Sequence, residues 1–556
     1  MSVFIGYPSF MAYQMMKGKK GNNDDFPSIP GMIARYSALG LTNEQMAANP
    51  VWVDKTGNGH DIQLKNFSWK GMSGVGGYEF NFLSSDWFIP SDQTIERFSH
   101  KIVIIKKQHS AQLQNTSRLK SIKITIKVTG LEANGSTLRI YDNIGNDKKQ
   151  DYNKDGIYKI DYTANEGANI IFFYAFGGNM GTLDTPITIE QLPLYPGALV
   201  FDGVDDYGTC DNFSILTKEK GYTVVALRQW IEEKNSITAL VSNSKNWNQD
   251  GAFVFEYNNL ENNYPNLEIS FGSFTKLGRE KSSFTYQTSK LYNGKEIKFG
   301  EFLGSDRLTV AKGNENLSQN SNVAIWELVF LDHDATEEEL TKIKDYFIKT
   351  YPWLFPDQAW TVTGKTNEDE DRATIANITG NGNNLVLSNF GFAEGSGYNE
   401  EGEYAGYLVT DGVDDQIISS SFKMGKDFTI VGDWEFLPID KLNYTGIHKG
   451  TNLVLYNNST GVILYINQLS TGIRLDIKRL NAICSDGRVY DKNWNEIVVY
   501  TPEEGVINTA KLMIGGNNNN RFTTLIFKNL GIYNNQTLSK DDCIKAYNYL
   551  QTLKAK

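Results

Sequence analysis

Val200-Phe201-Asp202-Gly203-Val204-Asp205-Asp206-Tyr207-Gly208 returns far downstream as Val409-Thr410-Asp411-Gly412-Val413-Asp414-Asp415-Gln416-Ile417. Each copy has a strand-like lead, Asp-Gly, one valine, Asp-Asp, and a second strand-like run. Asp-Gly marks a turn, because glycine accepts positive φ and the Asp side chain bonds its own backbone. The carboxylates of Asp202, Asp205, Asp206, Asp411, Asp414 and Asp415 have two uses. They can satisfy N–H groups within the turn, or they can face a cation or sugar hydroxyls. The first is the reading adopted here: a structural turn, written twice.

Working outward, two more elements recur. Gly40-Leu41-Thr42-Asn43-Glu44 and Thr56-Gly57-Asn58-Gly59-His60-Asp61-Ile62-Gln63-Leu64-Lys65-Asn66-Phe67-Ser68-Trp69 precede the first turn. Gly364-Lys365-Thr366-Asn367-Glu368 and Thr379-Gly380-Asn381-Gly382-Asn383-Asn384-Leu385-Val386-Leu387-Ser388-Asn389-Phe390-Gly391-Phe392 precede the second. A helix closes each copy. Thr336 and Glu339 form a capping box ahead of an apolar face of Leu340, Ile343 and Phe347. Ser539 opens the matching helix, whose face is Cys543, Ala546, Tyr547 and Leu550.

The turn-to-helix spacing is about 134 positions in the first copy and about 128 in the second, which indicates duplication. From the Gly-Asn-Gly turn to the Asp-Gly turn is about 146 positions in the first copy but only about 32 in the second, so a folded domain is inserted in the first. Within the insert, Ser121 to Val128 alternates polar and apolar as a half-buried strand does. Thr137 to Tyr141, Gly156 to Tyr162 and Asn169 to Ala175 also read as strands. The expected fold is mostly β: two sandwiches, the first interrupted by a smaller jelly-roll-like one. The expected domains are a docking segment at 1–33, a first sandwich of 34–95 plus 196–355, an insert at 96–195, and a second sandwich at 356–556.

Composition agrees. The 556 residues include 50 Gly, 29 Tyr and 30 Phe, which suits sandwiches rich in turns. A net charge of −11 offers no field for nucleic acid or an anionic membrane. Three scattered cysteines build neither a disulfide framework nor a zinc site. Met1 to Lys20 lacks a basic lead and a continuous apolar core, so a secretory signal is not expected. Its aromatic and methionine side chains need covering, by the chain's own first domain or by a partner.

The three repeated elements resemble the concanavalin A-like, laminin-G-type sandwich over 34–95 with 196–355 and again over 356–556. The Gly-x-Thr-Asn-Glu and Thr-Gly-Asn-Gly-His-Asp-Ile-Gln-Leu-Lys-Asn-Phe segments resemble virion fibre proteins of crAss-like gut phages. That resemblance implies a virion location and a non-enzymatic head fibre or capsid-decorating fibre. It implies partners too: other virion proteins held through the N-terminus, sister subunits in a homo-oligomer, and host surface polysaccharide. A tail fibre or a bacterial surface glycan-binding protein is the alternative, and a glycosidase is a third class.

The sequence carries few signatures of chemistry. The Glu-x-Asp-x-x-Glu strand of concanavalin-type glycosidases is absent, so no catalytic residue is assigned. Gly364-Lys365-Thr366 lacks the earlier glycine of a phosphate loop, since position 359 is Ala359. Asp151, Asn153 and Asp155 imitate the first half of a calcium loop, but Tyr162 holds the position of the closing acid. Calcium is therefore left open at that loop and at the Asp-Asp turns, and no other cofactor is expected. For glycan contact, Trp247 with Asn246 and Asp250 in a polar loop is the first candidate, and Trp494 is the second.

Overall fold

The computed structural model describes residues 25–89, 94–107, 110–116, 120–144, 148–168, 170–213, 221–232, 238–243, 253–258, 273–276, 283–296, 306–313, 319–402, 404–437, 444–450, 453–458, 461–466, 469–475, 479–498, 507–516 and 522–555. Its strands build a mostly β protein of paired sheets. Two compact units divide the chain: one holds the described residues up to Tyr78 with Tyr195–Tyr351, the other Glu79–Leu194 with Pro352–Lys556.

In the first unit, Ile62–Lys65 pairs with Tyr207–Cys210, setting Tyr207 opposite Lys65. Met32–Ser37 pairs with Asn322–Leu331, and Gly74–Val75 with Leu199–Asp202. The segments on either side of the insert therefore share both sheets, one eight-stranded and one seven-stranded. Asn322–Leu331 is buried along nearly its whole length. Helix Glu337–Thr350 starts where the capping box predicts: Thr336 Oγ1 accepts from Glu339 N at 3.3 Å, and Glu339 Oε2 accepts from Thr336 N at 2.8 Å. Phe26 leads into the sandwich under the Arg35 guanidinium, 4.0 Å from the ring centre, and edge-on to Tyr346. The docking role expected of the segment before it lies largely outside the described residues.

The second unit contains the insert and the second sandwich. The insert is two five-stranded sheets. One runs Gln150–Tyr152, Thr137–Asp142, Ile171–Phe176, Ser110–Asn115, Trp87–Phe88; the other runs Gly156–Thr163, Ser121–Thr129, Gly181–Gln191, Lys101–Lys107, Thr94–Arg97. Ser121–Thr129 shows why: Ile122, Ile124, Ile126 and Val128 are buried while Lys123 and Lys127 face water. Trp87–Phe88 pairs with Ser110–Asn115, and Phe82 and Trp87 lie in the insert's core, so the chain leaves the first sandwich near Tyr78 and not at 95. The second sandwich is two eight-stranded sheets, closed by helix Lys540–Gln551, where Ser539 accepts from Asp542 N at 3.1 Å.

One sheet of the insert is fastened to the second sandwich. Lys159, pointing away from the insert's core, meets the Asp433 carboxylate and the Tyr407 hydroxyl. Asp433 also takes Arg479 at 2.8 Å and Gln551 at 3.2 Å. Burial pushes the Asp433 carboxyl up, but Arg479 and Lys159 outweigh it and hold the group well below the usual carboxylate range. Asn548 of the closing helix reaches Pro193 O at 3.5 Å.

Candidate functional site

The two Asp-Gly turns carry the same hydrogen bonds. Val204 N donates to Asp202 Oδ1 at 2.7 Å, and Val413 N to Asp411 Oδ1 at 2.8 Å. Asp202 N donates to Asp206 Oδ2 at 3.1 Å, and Asp411 N to Asp415 Oδ2 at 2.8 Å. Ser73 and Ser396 each donate to the buried carboxylate at 3.1 Å. Gly203 and Gly412 sit at φ 73° and 74°, where a Cβ would meet Asn322 Cβ at 2.7 Å and Thr524 Oγ1 at 2.6 Å. Burial pushes the Asp206 carboxyl up to about 7, helped by the Asp202 charge, and the Asp415 carboxyl up to about 6. The carboxylates of each turn lie within 4.8 Å of one another, close enough for a cation. The buried oxygens are nevertheless spent on the turn's own donors, which is the geometry of a fold-holding turn.

The other candidates fare differently. Asp151 is held by Arg139 at 2.6 and 2.7 Å. Asp155 accepts from Gly130 N, Leu131 N and Glu132 N at 2.9, 2.7 and 3.3 Å, capping the short helix Leu131–Asn134. Of the loop Asp151, Asn153 and Asp155, where the sequence leaves calcium open, both acids are committed to other partners. The expectation of glycan contact at Trp494 is corrected. It is 2% exposed, with φ at 61°, and sits against Tyr490 and edge-on to Tyr547. A ring closed in between a strand and a helix has no face left for a ligand. Trp247, Asn246 and Asp250 lie outside the described residues.

A surface that the sequence reading passed over lies on the insert. In Ile171–Phe176 the inward positions are Ile171, Phe173 and Ala175; the outward ones, Phe172, Tyr174 and Phe176, are all aromatic and half-buried. Register extends them into rows across the sheet. Tyr141, Phe172, Gln114 and Phe88 form one row, with Phe88 53% exposed at the sheet's edge. Asp151, Arg139, Tyr174 and Gln112 form the next, and Thr137, Phe176 and Ser110 the third. Tyr141 stacks on Phe172 with centroids 4.7 Å apart, Tyr174 stacks on Phe176 at 5.4 Å, and the two stacks meet edge to face. The Arg139 guanidinium lies 4.7 Å over Phe176. Its hydrogen bond to Asp151 raises its pKa and lowers that of Asp151, so both stay charged. Burial, and then Tyr174, push the Tyr141 hydroxyl up, so it stays a neutral donor. The signal was present: a strand with aromatics on both faces, in a small sandwich whose Ser121–Thr129 strand alternates cleanly.

No protein-family model matches the sequence, and no curated protein matches it. Solved structures similar to the chain include the Trypanosoma rangeli sialidase in complex with sialic acid, at 11% identity over 84% of each chain with a TM-score of 0.22. The same sialidase with the inhibitor DANA matches at 10% identity, over 84% of this chain and 85% of that one, with a TM-score of 0.25. Truncated AlyQ, with CBM32 and alginate lyase domains, matches at 11% identity over 61% of this chain and 92% of that one, with a TM-score of 0.17. At such values no activity passes to this chain. The expectation of a virion fibre, on head or tail, is withdrawn: no family model and no curated protein supports it, and none of these similar structures is a virion protein.

Proposed function

We propose that the chain is a non-catalytic glycan-binding protein, and that its binding face is the outer aromatic sheet of the inserted sandwich. One observation carries this reading: three successive outward positions of one strand are aromatic and are flanked in register by Gln112, Gln114, Ser110 and Thr137. Aromatic surface left in water costs free energy, and such patches on soluble proteins mark binding sites. Sugar rings expose C–H groups that lie against aromatic rings and hydroxyls that suit amide and hydroxyl partners. The mutual stacking of the rings fixes them beforehand, which lowers the ordering cost of binding. Among the described residues the carboxylates of Asp206, Asp415, Asp155, Asp151 and Asp433 serve turns, a cap and ion pairs, which favours binding over turnover.

The test is retardation in native gels cast with hydroxyethylcellulose, xylan, galactomannan, laminarin or alginate. The wild-type chain should be slowed by at least one, and a Phe172→Ala/Tyr174→Ala double variant should run free while keeping its unfolding temperature. Equal retardation of the variant would move the site elsewhere. No retardation of the wild type by any of the five would remove the glycan reading.

A further inference from the structure

We infer that this face takes an uncharged stretch within a linear polysaccharide, at least three sugar units long, and not a single sugar or a chain end. The inference rests on the glycan-binding reading and narrows its ligand. Length comes first. The row from Tyr141 to Phe88 crosses four strands, about 14 Å at the usual strand spacing. Phe172 to Phe176 runs about 13 Å along one strand. Either direction accommodates several rings in succession, so one sugar would leave most of the face uncovered.

The ends of the rows come second. Pockets that hold a chain terminus need a wall. Here the bordering strands are Trp87–Phe88 and Gln150–Tyr152, two and three residues long, and Phe88 is the most exposed ring in its row. Among the described residues the face is a sheet surface that runs off its own edge. A chain can therefore enter and leave it on both sides.

Charge comes third. The charged side chains of the described rows are Arg139 and Asp151, and they neutralise each other through two parallel hydrogen bonds. An acidic sugar would have to displace Asp151 from Arg139, against a chain of net charge −11. The face therefore discriminates against anionic glycans while offering amides and hydroxyls to neutral ones.

Calorimetry with cello-, xylo-, manno- and laminari-oligosaccharides of one to six units, and with oligoalginate of three to six, tests each part. In the series that binds, affinity should rise at least about tenfold between one unit and four, then level off. Chemical blocking of either chain end should leave affinity unchanged, and oligoalginate should bind at least about tenfold more weakly. Asp151→Asn, which releases Arg139, should narrow that gap. Full affinity for a single sugar, loss of binding on end-blocking, or tighter binding of oligoalginate would overturn the inference. If any of these appears with binding still abolished by Phe172→Ala/Tyr174→Ala, the glycan face survives and only its ligand class is wrong. If binding is indifferent to that double variant, the site lies elsewhere and the inference about this face falls; if no series binds, both readings fall.

Discussion

Asp206→Asn should make the first sandwich less sensitive to pH, and the size of the change follows from the turn. Asp206 is fully buried, and burial raises its carboxyl from an ordinary 3.8 to about 7. A carboxyl raised in the folded state binds its proton more tightly there than in the unfolded chain. Its stabilising contribution is complete below the unfolded pKa and is lost as pH rises toward 7. Each unit is worth about 1.4 kcal/mol, so the full window is about 4 kcal/mol, of which about 3 falls between pH 5 and pH 8. Asparagine keeps an acceptor for Asp202 N and offers its amide N–H to Ser73 Oγ, so the turn's bonds survive without the titrating proton. Asp415→Asn is the internal replicate in the second sandwich: with its carboxyl at about 6, the loss between pH 5 and pH 8 is about 1.4 kcal/mol. Urea unfolding of the wild type and both variants at pH 5, 6, 7 and 8 measures the differences. A wild-type midpoint that falls no further than the variants' over this range would refute the argument. So would a calcium-dependent rise in wild-type stability at pH 8 that the variants lack, because the turn would then be holding a cation where a proton is expected.

Three further outcomes are expected. Asp433→Ala strands Lys159 and Arg479 in a buried site and should cost about 3–5 kcal/mol, with proteases cutting the 79–194 insert sooner; an unchanged melting temperature would contradict this. Trp494→Ala should cost about 3–5 kcal/mol of unfolding free energy yet leave polysaccharide retardation intact wherever the protein is folded; lost retardation in folded protein would restore Trp494 as a ligand contact. Thr336→Ala removes the cap of helix Glu337–Thr350 and should lower stability by about 1 kcal/mol in chemical denaturation.

What could be read from the sequence was local. The Asp-Gly turns, the capping box at Thr336 and Glu339 and the alternation of Ser121–Thr129 each announce themselves within a few residues, and their repetition exposes the duplication. What could not be read depended on distant partners. Trp87 and Phe88 look like the tail of the first sandwich until Ser110–Asn115 is seen beside them. Trp494 sits among Asp491, Lys492, Asn493 and Asn495, the company of an exposed loop, but Tyr547 from the last helix closes over it. Asp433 interrupts an apolar strand, with nothing nearby to announce Lys159. The aromatic face was hidden for another reason: Ile171–Phe176 has apolar side chains on both faces, and such a run reads as a strand buried on both sides.

The fastening of Lys159 to Asp433 bears on how the molecule comes into being. A ribosome releases the guest sandwich long before it makes the strand that the guest will rest upon, and it finishes the guest while the enclosing sandwich still lacks its second half. Until Asp433 and the closing helix emerge, the Lys159 ammonium stays hydrated and its sheet uncovered. Docking is therefore a late step, and a nascent chain arrested before Asp433 would carry a finished guest domain with its landing surface bare.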